Sequence, residues 1–178
     1  MKILTLLRHA KSTWDDPVAR DSDRPLNSRG RKAARVVGRA MRDQGLKFDA
    51  VIASPAVRVV ETLRDVSDGY GHSLDPEQDP NLYLASPAVL LDRIHHVDDG
   101  VERLLVVGHN PGLEQLVLLL TGSDHDGLKR EVELKYPTAT LAEIRFAVDH
   151  WADVAKGAGM LTRFIRPRDL DPELGPED

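Results

Sequence analysis

The chain contains no cysteine among its 178 residues. That absence removes disulfides, zinc–thiolate sites and a thiolate nucleophile together. It also lacks a long apolar run. The start, Met1 to Arg8, has too short an apolar core for a signal peptide and no small-residue cleavage site, and no later stretch is long enough to span a bilayer. The expectation is a cytoplasmic protein without a membrane partner. Excess positive charge is missing as well: the net charge is -5 and the pI near 5.8. The chain as a whole therefore repels nucleic acid, which is not an expected partner. There is no internal repeat and no low-complexity block.

What is present is enough chain for one domain with a full core and too little for two ordinary ones. The expected division is a single domain over 1–166 and an acidic, Pro-containing tail over 167–178 that frays. Ile3 to Leu7, Ala50 to Ala53 and Leu104 to Val107 are short apolar runs bounded by polar residues, Gly or Pro. Such runs read as parallel strands buried on both faces. Helical spacing covers Arg29 to Gln44, ending at Gly45, and Pro55 to about Ser67. Further helices follow Ser86-Pro87 and run from Pro111 to Leu120, the latter closed by Gly122. Arg29, Arg31, Lys32, Arg35, Arg39 and Arg42 fall on the wet side of the first helix, opposite Ala33, Val36, Val37, Ala40 and Met41. Thr140 to Phe146 and Gly159 to Ile165 alternate like strands. The alternation predicts an α/β fold, a three-layer sandwich with a mainly parallel central sheet.

Two of the apolar runs end by delivering a histidine: Arg8-His9 follows the first, and Gly108-His109-Asn110-Pro111-Gly112 follows the third. The run at 50–53 leads into Ser54-Pro55-Ala56-Val57-Arg58, which places Arg58 on the first turn of a helix at the same edge. Ligands of open α/β sheets bind beyond the carboxyl ends of the strands. Arg8, His9, Arg58 and His109 therefore converge on a pocket for a ligand with at least two negative charges, and phosphate is the natural candidate. Each guanidinium offers paired planar donors. Neighbouring positive charge disfavours an imidazolium, so at least one ring stays neutral, a nucleophile for phosphoryl transfer. The bland alternatives are core histidines hydrogen-bonded at strand ends and a surface ion pair of Arg58 with Glu61. The joint pattern outweighs them. A metal site from the two histidines with Asp15 or Asp16 is disfavoured because two arginines would repel a dication. No metal and no cofactor are expected. Trp14 reads as a packed wall near the pocket, and His95, His96 and His125 as solvated.

Leu7-Arg8-His9-Ala10-Lys11-Ser12, Arg24-Pro25-Leu26-Asn27-Ser28-Arg29-Gly30, Ser54-Pro55-Ala56-Val57-Arg58-Val59-Val60-Glu61-Thr62 and Val107-Gly108-His109-Asn110-Pro111 resemble the histidine phosphatase superfamily. Within it they are most similar to the SixA-type phosphohistidine phosphatases. The resemblance implies a phosphoglycerate mutase-like fold. It makes His9 the nucleophile that becomes phosphorylated, and Arg8, Arg58 and His109 the pocket for the phosphoryl oxygens, with Ser12 a small polar contact to phosphate. Two departures stand out: Ala10 replaces a glycine, and Asp15 stands where many relatives have asparagine.

No motif singles out a general acid; Asp15, Asp16, Glu77 and Asp79 are the loop candidates. A phosphohistidine substrate relaxes that demand, since an imidazole leaving group takes its proton from solvent. The expected activity is thus a metal-independent phosphatase acting on phosphohistidine in a phosphorylated protein, through a covalent intermediate on His9. The alternatives are a phosphatase of small phosphate monoesters and a non-catalytic phosphate-binding module.

Overall fold

The computed structural model describes residues 1–15 and 20–175. Seven strands form one sheet: β1 (Lys2–Arg8), β2 (Ala50–Ala53), β3 (Glu77–Gln78), β4 (Arg103–Gly108), β5 (Thr121–Asp124), β6 (Leu141–Phe146) and β7 (Gly159–Ile165), in the order β3-β2-β4-β1-β6-β7-β5. The pairs β3-β2, β2-β4, β4-β1 and β7-β5 are parallel. β6 runs antiparallel to both of its neighbours. The sheet is mainly parallel, as the sequence suggests.

Among the described residues six helices accompany it: α1 (Ser28–Asp43), α2 (Val57–Tyr70), α3 (Pro87–His95), α4 (Gly112–Leu120), α5 (Leu128–Leu134) and α6 (Pro167–Leu170). Successive strand side chains point to opposite faces, and the core divides accordingly. Leu4, Leu6, Leu104, Val106, Ala142 and Ile144 pack with Leu90 and Ile94 of α3 and Leu113, Leu116 and Leu120 of α4. Leu7, Val51, Leu105, Val107 and Leu141 pack with Ala34, Val37 and Met41 of α1 and Val59, Leu63 and Val66 of α2. Two helical layers sandwich the sheet. The apolar stripe of α1 is buried as its spacing predicts, and Asn27 caps its start by accepting from Gly30 N. Its wet face carries ion pairs: Arg31 meets Glu61, Arg35 meets Asp65 and Lys32 meets Glu173.

Two expectations need correction. Residues 167–175 of the expected tail are folded: α6 and a 3-10 turn at Pro172–Leu174 carry them back to α1, where Leu174 is buried. α4 is not closed by a turn at Gly122; it passes directly into β5, which pairs with β7 through a bulge. Beyond β2 the parallel edge is extended by β3.

Candidate active site

β1, β4 and β2 lie side by side and parallel, so their carboxyl ends deliver three loops to one place. Backbone hydrogen bonds lock those ends together: His9 N donates to Gly108 O at 3.1 Å, and Ser54 N donates to Val107 O at 3.1 Å. His9 is held from its other side by Ala139, whose N–H donates to His9 O at 2.9 Å. Ala139 has φ +56°, a left-handed conformation that costs a residue with a Cβ about 1 kcal/mol. Ala10 is fully buried, and its N–H donates to Thr62 Oγ1, which in turn donates to Arg58 O. The Cβ that replaces the family's glycine is thus accommodated, and α2 is tied to the loop that carries His9.

Four of the residues read from the sequence, Arg8, His9, Arg58 and His109, stand at these strand ends. The rings of His9 and His109 lie 5.4 Å apart, and Arg58 Nη2 lies 3.3 Å from His109 Nδ1. Arg8, the last residue of β1, anchors Nη1 on Tyr136 O at 2.9 Å. His9, His109 and Arg58 are buried. Among the described residues, Arg8 Nε and Arg58 Nε are both buried and without a hydrogen-bond partner.

The hydrogen bonds settle which ring nitrogens carry lone pairs. His9 Nδ1 is 2.7 Å from the carbonyl oxygen of Ala10; a carbonyl only accepts, so Nδ1 carries the proton and Nε2 the lone pair. His109 Nδ1 faces a guanidinium, which only donates, so the proton of that ring sits on Nε2 and is donated to Ser54 Oγ at 2.7 Å. Both rings are neutral at pH 7. Burial above all pushes His9 down to about 3, against the hydrogen bond to Ala10 O and with the charges of Arg8 and Arg58 adding to it. Burial and then Arg58 push His109 down to about 4, with Asp21 opposing. The direction matches the sequence argument, while desolvation, not guanidinium charge, is the leading cause.

Three of the four acids named from the sequence are elsewhere. Asp15 is exposed, with its N–H on Thr13 Oγ1. Glu77 and Asp79 both pair with Arg93. Asp16 lies outside the described residues. A carboxylate that does reach the site is Asp21, which no motif marked. Its Oδ2 accepts from Arg58 Nη2 at 3.0 Å and from the Tyr83 hydroxyl, and its Oδ1 accepts from Arg24 Nε at 3.1 Å. Those donors hold it down at about 2 against a smaller opposing effect of burial than their sum, so it is a carboxylate at neutral pH. Tyr83 also stands edge-on to His109, with centroids 5.4 Å apart.

Ser12 is not set against the imidazoles by any hydrogen bond; its Oγ accepts from Arg24 Nη1 at 2.8 Å. Trp14 is not a packed wall: it is 76% exposed, with the Arg24 guanidinium stacked 3.3 Å from its ring centroid. His95 Nε2 lies 2.7 Å from Val154 O, a partner the sequence does not reveal. A cleft of about 690 Å³ opens along the outer side of α2 and shares only Ser54 with this cluster. The chemistry is placed by the buried cations and rings, not by that hollow. No helix among the described residues is long and apolar enough to cross a membrane.

The model of the histidine phosphatase superfamily (branch 1) matches residues 4–83, from β1 through α2 to Tyr83. An uncharacterized protein of Mycobacterium tuberculosis, Rv1276c, is 38% identical over 165 residues, covering 91% of this chain and 100% of that one. The phosphohistidine phosphatase SixA of Escherichia coli is 28% identical over 114 residues, covering 63% of this chain and 70% of its own. Among solved structures, one from Agrobacterium tumefaciens assigned as a SixA phosphohistidine phosphatase superposes with a TM-score of 0.78 at 26% identity, covering 93% of this chain and 98% of that one. The fold is accordingly the phosphoglycerate mutase-like one. The chain belongs to the histidine phosphatase superfamily, branch 1, and is an enzyme of the phosphatase type.

Proposed function

We propose that the protein hydrolyses phosphohistidine on a phosphorylated protein, with His9 as the covalent nucleophile and Arg8, Arg58 and His109 holding the phosphoryl oxygens. The observation that carries this reading is the pair of buried guanidinium Nε–H groups of Arg8 and Arg58, unpartnered in a cluster whose His9 imidazole is neutral. An unpaired buried donor is costly, and an anion seated between the two would satisfy both.

In the first step His9 Nε2 forms a bond to phosphorus as the bond from phosphorus to the leaving group breaks. The fixed guanidinium donors meet the equatorial oxygens, where the charge is spread. The leaving nitrogen departs as a neutral imidazole, having taken its proton from solvent. In the second step water attacks the phosphoryl group on His9. Orthophosphate leaves, the water's proton passes to solvent, and Nε2 regains its lone pair. Because Nδ1–H is already committed to Ala10 O, the ring does not need to change tautomer between steps.

The leaving group is where the substrate is decided. An alkoxide has to be protonated as it departs, and Asp21, the carboxyl bound to Arg58, stays ionised far below neutral pH between two arginines and a tyrosine. A nitrogen leaving group does not need that acid. Among the described residues the 71–84 segment holds β3 and one 3-10 turn, and adds no helical lid. A site with no such lid among the described residues suits a protein substrate. The SixA relative supports the same reading by its own named activity.

The test is a comparison of kcat/KM for a phosphohistidine-bearing protein or peptide with that for alkyl phosphates such as sugar phosphates. The expected result is a preference for the phosphoramidate bond of at least about a hundredfold, the order that general acid catalysis contributes. Equal or better turnover of the alkyl esters would reverse the assignment of substrate.

A further inference from the structure

We infer that Asp21 is a positioning residue of this site: it grips one edge of the Arg58 guanidinium so that the other edge stays turned toward His109 and the phosphoryl group. The inference rests on the reading of the pocket as a phosphate site and concerns how that site is aimed.

The donor geometry of Arg58 carries the argument. A guanidinium has five N–H groups on a rigid plane, and its Nη1/Nη2 edge and Nε/Nη2 edge each present a parallel pair. Asp21 occupies the first edge completely. Arg58 Nη1 donates to the Asp21 carbonyl at 2.7 Å, and Nη2 donates to Asp21 Oδ2 at 3.0 Å. On the second edge, Nη2 reaches His109 Nδ1 at 3.3 Å and Nε is buried without a partner. The edge that Asp21 leaves alone is thus the edge beside the imidazole. A side chain attached only through its own flexible stem would have no reason to hold that orientation.

Asp21 is itself immobilised by groups outside the catalytic set. Arg24 Nε binds its Oδ1 at 3.1 Å, and the Tyr83 hydroxyl binds Oδ2. Arg24 is fixed in turn by Ser12 Oγ at 2.8 Å and by the face of Trp14. Asp21 therefore joins the 21–24 segment, α2 and the turn before α3 at one point. That arrangement gives Ser12, Arg24 and Tyr83 a shared task, holding the residue that holds Arg58.

A carboxylate does this at a cost in affinity that makes the inference testable. Its negative charge balances the buried Arg58 guanidinium in the resting enzyme, and it also repels any phosphate dianion that settles on the opposite edge. Replacing Asp21→Asn removes the repulsion and loosens the grip. Inorganic phosphate should then inhibit more tightly, by roughly three- to tenfold for one charge at this range. At the same time kcat should fall by about tenfold or more, because the donors are no longer held in the geometry of the transition state. General damage to the fold would weaken both together. The two quantities moving apart is the signature of positioning.

The experiment measures kcat, KM and the inhibition constant of inorganic phosphate for wild type and Asp21→Asn, with phosphoramidate as substrate and a thermal melt of each protein. A fall in kcat with phosphate inhibition unchanged or tighter supports the inference. A kcat within twofold of wild type, or a parallel loss of kcat and phosphate affinity, overturns it. If Asp21→Asn does not fold, Tyr83→Phe decides, since it removes only the hydroxyl on Asp21. A lowered kcat at undiminished phosphate inhibition then supports the grip, and an unchanged kcat overturns it. A wild-type enzyme that does not bind phosphate at all would instead overturn the reading of the pocket, whereas a working wild type beside an indifferent Asp21→Asn sinks this inference alone.

Discussion

Acidifying the solution from pH 7 to pH 5 should strip about 4 kcal/mol of stability from this protein through two imidazoles. In the unfolded chain each histidine takes up a proton near pH 6.5, while burial holds His9 down to about 3 and His109 down to about 4 in the fold. Between those limits the unfolded state binds more protons than the native state, so stability is complete above pH 6.5 and declines as pH falls. At 1.36 kcal/mol per pH unit, the 1.5 units from 6.5 to 5 amount to about 2 kcal/mol for each ring. Carboxylates of ordinary affinity contribute little above pH 5. His150 acts in the opposite direction, because Asp99 raises it, but it is exposed and its contribution is small. For a chain of this size the total corresponds to a fall in Tm of roughly 8–16 °C. The assay is calorimetry or circular dichroism melting at pH 7 and pH 5 at fixed ionic strength. His9→Asn keeps an N–H near the position of Nδ1 and does not titrate, so it should recover about half of the loss. A wild-type Tm that moves by less than about 2 °C, or a His9→Asn protein as acid-sensitive as wild type, would refute the claim that the rings are buried in neutral form.

Three further outcomes follow from the same geometry. Arg58→Lys should lower kcat by about a hundredfold with the fold intact, since one ammonium cannot both grip Asp21 and present a paired edge; steady-state kinetics with a matched melt checks this, and a loss under threefold would contradict it. Gly30→Ala should destabilise the protein by about 1–3 kcal/mol in a urea titration, because a Cβ there would lie 2.1 Å from the Lys11 carbonyl oxygen and push the loop that follows His9; an unchanged midpoint would mean that α1 does not buttress that loop. Turnover should survive excess chelator and be blocked by vanadate, which imitates five-coordinate phosphorus; abolition by the chelator would move the chemistry from His9 to a metal.

The parts of this fold that could be read from sequence are those whose signal is local. The buried runs of β1, β2 and β4 are apolar because both faces are covered, and α1 carries its apolar stripe and its Asn27 cap in plain order. β5 could not be read in this way: Thr121-Gly122-Ser123-Asp124 has the composition of a turn, and it is extended because β7 offers a parallel edge. α5 is seven residues long and buries Val132 alone, which leaves no periodicity to detect. The site divides along the same line. Arg8, His9 and His109 announce themselves by standing at the ends of apolar runs, and Arg58 by the Ser54-Pro55 turn that follows one. Asp21 sits in a stretch of charges and turn residues, and its meaning lies in contacts with Arg58 and Tyr83 that are 37 and 62 residues away. Its one local clue was the run Asp21-Ser22-Asp23 just before Arg24-Pro25-Leu26.

The account's central claim is covalent: phosphorus passes through Nε2 of His9. Rapid mixing with a labelled phosphoryl donor, an alkaline quench and peptide mapping tests it directly. The expected product is an acid-labile, alkali-stable phosphoryl group on His9, attached at Nε2 because Nδ1 is committed to Ala10 O, and absent from His9→Ala. Label on any other residue, or near wild-type turnover by His9→Ala, would contradict it.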